Sequence, residues 1–131
     1  MADNADQSLY VFARYANDWH DHIIVVMNCT PNTYDNYRIG VKDADWYEEI
    51  FNSDRDIYGG SNRINPFGLN TEDYWQDNRP KSILMTIPPL GISILKARYI
   101  EKEEVKEEPK KKAPAKKAAT KKATTKKTTK K

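Results

Sequence analysis

Ser8–Tyr15 reads SLYVFARY and, after a polar interruption, His22–Asn28 reads HIIVVMN. In the first run Leu9, Val11 and Ala13 fall on one side and Tyr10, Phe12 and Arg14 on the other, the two-residue period of a half-buried strand. The second run is apolar almost throughout, which predicts a strand buried on both faces. Asn17-Asp18-Trp19-His20-Asp21 between them has turn composition, so the two runs predict a β-hairpin.

The same signals recur downstream. Tyr37–Val41 (YRIGV), Trp46–Phe51 (WYEEIF), Ser82–Ile87 (SILMTI) and Leu90–Arg98 (LGISILKAR) read as strands bounded by Asn, Asp, Gly or Pro. No helical period persists for three turns. Six short strands without crossover helices predict an all-β antiparallel β-sandwich over residues 1–100. Pro88-Pro89 lacks two ladder donors, which predicts a corner where the chain turns back or changes sheets.

From residue 101 to 131 the composition changes to a disordered charged tail rich in Lys, Ala and Thr, unable to bury enough surface to offset its ordering entropy. Through Glu108 there are 11 Lys and Arg against 19 Asp and Glu; from Pro109 onward there are 11 Lys and no acids. An acidic body therefore carries a basic tail, and 11 lysines could bind nucleic acid or another polyanion without regard to sequence. The longest apolar runs fall far short of the roughly 20 residues of a membrane helix, so no membrane partner is expected. MADNADQS at the N-terminus has no apolar leader, and a cytoplasmic location is expected.

Catalytic constellations are not legible. Glu48 and Glu49 are adjacent on a strand and point to opposite faces. Asp54, Asp56, Asp73 and Asp77 read as turn and surface acids, and His20 and His22 have no nucleophile at a recognisable spacing. Gly59-Gly60-Ser61 lacks the Lys and the following helix of a phosphate loop, and reads as a tight bend. The single Cys29 reads as a small buried hydrophobe, with no metal-ligand spacing around it. No catalytic residue, metal or cofactor is expected. Among the aromatic residues, Tyr74 and Trp75 sit in a polar loop and are the candidate sugar contacts, since flat rings stack on sugar faces while polar neighbours bond hydroxyls.

Several short motifs follow one another: Asn28-Cys-Thr-Pro31, Tyr37-Arg-Ile-Gly-Val41, Trp46 with Glu49, Asn52-Ser-Asp54, Tyr58-Gly-Gly-Ser61, Arg79-Pro80 and Pro88-Pro89-Leu90. In this order and spacing the segment from Ser8 to Lys96 resembles the C-terminal β domain of bacterial-type 1,4-α-glucan (glycogen) branching enzymes, in the α-amylase superfamily. It departs from the family pattern at Cys29, where an aromatic is usual, and in the stretches Asn62–Asn65 and Tyr74–Asp77. The resemblance implies a non-catalytic domain packed against a catalytic (β/α)8 barrel, which takes about 250 residues and cannot be contained here. It implies a fragment of a glycosyltransferase that forms α-1,6 branches, with α-glucan as a further partner. It also implies that Asn52–Asn65 is a structured excursion, capped by Asp54, bent at Gly59-Gly60 through positive φ and anchored by Tyr58. Two alternatives stand beside this reading: a polyanion-binding protein acting through its Lys-rich tail, and a small glucan-binding module.

Overall fold

The computed structural model describes residues 3–101 of the 131; the predicted tail beyond Glu101 lies outside the described residues. Among the described residues there are eight strands, β1 (Asp3–Asn4), β2 (Leu9–Tyr15), β3 (His22–Asn28), β4 (Tyr34–Val41), β5 (Trp46–Asn52), β6 (Leu69–Asn70), β7 (Lys81–Ile87) and β8 (Gly91–Arg98), with short 3-10 turns at Ala5–Gln7 and Asp56–Tyr58. They form an antiparallel sandwich of unequal sheets, six strands in the order β1-β2-β3-β8-β5-β6 facing the pair β4-β7. All six predicted strands are present, and β2 and β3 form the predicted hairpin, with Leu9 opposite Asn28 and Tyr15 opposite His22.

Two differences from the sequence reading have simple causes. β1 and β6 are two residues each, too short to carry a period. β4 begins at Tyr34 rather than Tyr37, because a bulge with Asn36 at φ 54° interrupts the alternation between them.

The core lies between the sheets. Leu9, Ile24, Val26, Tyr47, Leu95 and Ala97 on the large sheet meet Ile39, Val41, Ile83, Met85 and Ile87 on the small one. At Pro88-Pro89 the chain leaves β7 in the small sheet and enters β8 in the large one, so the corner is a change of sheets. Leu90 closes it with φ 43° and donates its N–H to the Thr30 carbonyl at 2.8 Å.

The expected burial of His22–Asn28 on both faces is corrected. His22, Ile24, Val26 and Asn28 are buried, whereas Ile23, Val25 and Met27 are half-buried on the outer face of the large sheet. Tyr58 from the Asp56–Tyr58 turn rests on Phe51 at one side of that face, while Tyr10 and Ile92 are exposed on it. The register sets its apolar residues in two rows across the strands, Tyr10-Met27-Ile92 and Phe12-Val25-Ile94-Phe51, with Arg14, Ile23, Lys96 and Glu48 forming a mostly charged row beside them. Cys29 is also corrected: it is exposed, because the chain leaves β3 at Asn28 and turns toward Pro31.

Candidate functional site

The polar residues of the family-like motifs are engaged in holding the fold. Asn28 is 2% exposed and uses its whole amide: Nδ2 donates to the carbonyls of Asn32 at 2.7 Å and Pro88 at 2.8 Å, while Oδ1 accepts from the N–H and hydroxyl of Thr30. One side chain thus ties the turn after β3 to the sheet-changing corner. Asn52, fully buried, donates to Glu49 and to the Arg63 carbonyl and accepts from the Asp54 N–H. Ser53 Oγ accepts from the Ile92 N–H at 2.8 Å.

The excursion after β5 is shaped by Asp54 as predicted. Its carboxylate accepts from the Ser61 N–H and hydroxyl and from the Arg63 N–H, at 3.0, 2.7 and 2.9 Å. Partial burial pushes the Asp54 pKa up, but these donors prevail and hold it below the usual carboxylate value. Gly59 takes the predicted positive φ, 80°, and Gly60 does not. Gly60 is required for close approach: a Cβ there would lie 2.2 Å from the Asp54 carbonyl oxygen. Tyr58 packs on Phe51 at 5.9 Å between ring centroids, an anchor at the surface that stays 60% exposed. A second clasp fastens the loop's end to the small sheet. Asn65 Nδ2 donates to Glu49 Oε2 at 2.6 Å and to the Thr86 carbonyl at 3.0 Å, and Asn65 Oδ1 accepts from the Thr86 N–H at 2.9 Å.

These engagements leave the carboxylates little chemistry. Glu49 is bound by Asn52 and Asn65, Glu48 on the opposite face pairs with Arg98 at 2.6 Å, and Asp54 holds its loop. Among the described residues no group of three or more His, Cys, Asp or Glu is placed to hold a metal ion.

Tyr74 and Trp75 are 55% and 65% exposed in the segment before β7. The Arg38 guanidinium lies over the Tyr74 ring at 4.3 Å, held there by Glu72 Oε2 and Ser82 Oγ, each 2.7 Å from Nη1. One face of Tyr74 is therefore occupied. The structure also assembles an aromatic group that the sequence reading did not find, at the β2–β3 turn. His20 stacks on Trp19 with centroids 3.6 Å apart, Tyr99 meets His20 edge-on at 5.4 Å, and Lys42 Nζ lies 4.6 Å from the Tyr15 ring centre and 5.9 Å from that of Trp19. A Trp in a turn was the only sequence signal for it; the approach of Lys42 depends on how the two sheets face each other.

Below this group His22 is buried. Its Nδ1 contacts the Trp19 carbonyl at 3.1 Å, which can only accept, so Nδ1 carries the proton and Nε2 accepts from the Tyr47 hydroxyl at 2.9 Å. Burial pushes the His22 pKa below its ordinary value, aided by the charges of Lys42 and Lys96 and opposed by the Trp19 carbonyl. The unfolded chain then takes up this proton first, so the His22 contribution to stability is level above about pH 6.5 and falls as pH drops from there toward the folded-state pKa. His22→Gln should flatten the stability profile between about pH 7 and 5. Urea melts at stepped pH check this, and an unchanged slope would mean that His22 does not set it.

The fold and its polar staples define an all-β sandwich domain. A family model described as the alpha amylase C-terminal all-beta domain matches residues 1–98. The 1,4-alpha-glucan branching enzymes GlgB of Bacillus cereus (strain AH820) and of Bacillus thuringiensis subsp. konkukian are each 42% identical to this chain over 95 residues, and that of Bacillus anthracis is 41% identical. Each alignment covers 72% of this chain and 15% of the relative. The chain belongs to the α-amylase C-terminal all-β domain family and, within it, is related to the branching-enzyme domains. It spans about 15% of the length of the curated relatives it matches. Among the described residues no helix is long and apolar enough to cross a membrane.

Proposed function

We propose that this chain serves as a non-catalytic C-terminal β domain of a cytoplasmic 1,4-α-glucan branching enzyme, with residues 101–131 as a separate tail. In this reading it stabilises the catalytic barrel by docking on it and takes no part in bond making. The observation that carries the proposal is the outer face of the large sheet. Tyr10, Ile92 and Phe51 are 49%, 36% and 37% exposed there, in continuous rows with Phe12, Val25, Met27 and Ile94. An apolar sheet face of this kind marks an interaction surface. The relatives, which extend far beyond this domain, supply the candidate occupant.

The experiment is complementation in trans. A Bacillus branching enzyme truncated before its C-terminal domain should bind the full 131-residue chain and melt at higher temperature with it. Val25→Lys and Ile94→Lys should each abolish the shift while the variants retain their β circular dichroism. Equal rescue by these variants, or formation of α-1,6 linkages by the chain alone, would overturn the reading. Polyanion binding through the Lys-rich tail is a distinct proposal that rests on composition, and it predicts affinity that falls steeply with salt.

A further inference from the structure

Where β3 ends and β8 begins, Met27, Asn28, Cys29, Leu90, Gly91 and Ile92 line an open hollow of about 360 Å³. Met27 and Ile92 lie opposite each other in the first apolar row of the outer sheet face, so the hollow is continuous with the surface proposed above to dock on the barrel. Its chemistry is one-sided. No charged residue lines it, and Asn28, its one amide side chain, is 2% exposed with both Nδ2 and Oδ1 already bonded within the corner. An anion or a sugar would leave water here without side-chain hydrogen bonds in return, whereas an apolar group gains by leaving water.

The rim is held by backbone bonds. Cys29 N–H donates to the Ser8 carbonyl at 3.2 Å, Leu90 N–H to the Thr30 carbonyl at 2.8 Å, and Ile92 N–H to Ser53 Oγ at 2.8 Å. An occupant therefore meets a shape formed in advance, which reduces the entropic cost of binding. Leu90 is the informative residue. Its φ of 43° lies in the left-handed region, which Gly or Asn adopts more readily, yet its side chain is 70% exposed and contributes little to the core. A strained apolar residue that gains so little inside the fold points to a contact outside it.

We infer that this hollow is the anchor point of the docking surface, filled by one bulky apolar side chain projecting from the catalytic barrel. For its occupant the inference rests on the proposed function: the relatives extend far beyond this domain, and the hollow continues the face assigned to the barrel. What it adds is a location and a chemistry. Binding is concentrated at this end of the face, as it is where a buried anchor fills a preformed pocket, and is not spread evenly along both rows.

Cys29 is the single cysteine of the chain and is exposed, so its alkylation reports on the hollow directly. The full 131-residue chain is treated with iodoacetamide alone and with the truncated Bacillus branching enzyme, and labelling of the Cys29 peptide is followed by mass spectrometry. The rate is expected to fall about tenfold in the complex. Leu90→Asn, which suits the left-handed φ and so retains the fold, should weaken the complex about thirtyfold. Phe67→Ser, at a 98% exposed position outside the rows, should leave it unchanged. An unaltered alkylation rate in a complex that forms and melts at higher temperature, or full affinity in Leu90→Asn, would overturn the inference and leave docking intact. Protection of Cys29 on concentrating the chain alone would overturn it in favour of a second copy as the occupant. If the unsubstituted chain forms no complex, docking and anchor fall together.

Discussion

Asn65→Ala should lower the unfolding free energy by about 3 kcal/mol, a large share of the roughly 5–15 kcal/mol available to a small domain. The substitution removes the amide that bonds Glu49 and both backbone groups of Thr86. Glu49 is 9% exposed and keeps only the Asn65 backbone N–H and the Asn52 amide as partners, so the buried charge loses its shortest hydrogen bond. Breaking one side of a buried charged network costs more than the mean hydrogen bond because the surviving group is left poorly compensated. Thr86→Ala, which preserves the backbone groups the clasp uses, should cost less than about 1 kcal/mol. Urea unfolding followed by tryptophan fluorescence measures both, and equal effects would show that the clasp contributes no more than an ordinary strand side chain.

Gly60→Ala should open the excursion after β5, whereas Gly59→Ala should only strain it. At position 60 the added methyl would meet the Asp54 carbonyl carbon and oxygen at 2.3 and 2.2 Å, and backbone cannot move aside as a side-chain tip can. The loop must separate from Asp54, at a cost of about 3 kcal/mol. At position 59 nothing lies within 4 Å of the added methyl, and the cost is the left-handed φ, about 1–2 kcal/mol. Limited trypsin digestion distinguishes the two, since Arg55 and Arg63 flank the bend. Rapid cleavage there is expected in Gly60→Ala alone, and equal cleavage in both variants would refute the close-approach role.

Strand positions and the sandwich class could be read from this sequence because alternation and turn residues are local signals. SLYVFARY gave the face of β2 correctly, and Pro88-Pro89 located the corner to the residue. Long-range placement was not legible. HIIVVMN is apolar on both sides, yet only one side meets the opposing sheet. Sequence periodicity records that a surface is suited to burial and is silent on whether the cover belongs to the same chain. The pair Gly59-Gly60 looks uniform, but one glycine serves backbone conformation and the other serves proximity to a residue six positions earlier. The group around Trp19 draws on segments far apart in sequence, and no local pattern joins Trp19 and His20 to Lys42 and Tyr99. Tyr74 and Trp75 are legible as surface rings because they lie in a polar loop, whereas the Arg38 guanidinium over Tyr74 comes from β4 and leaves no local signal.

The order β1-β2-β3-β8-β5-β6 places the last strand of the sandwich at the middle of the large sheet. β3 and β5 do not pair with each other; each is bonded to β8, so the halves of the sheet are joined only when Gly91–Arg98 inserts between them. During synthesis the ribosome must therefore deliver nearly the whole domain before its large sheet can close. Until then the β3 and β5 edges destined for β8 remain unpaired, and the nascent chain depends on rapid completion or on a chaperone to keep those edges from pairing with other molecules.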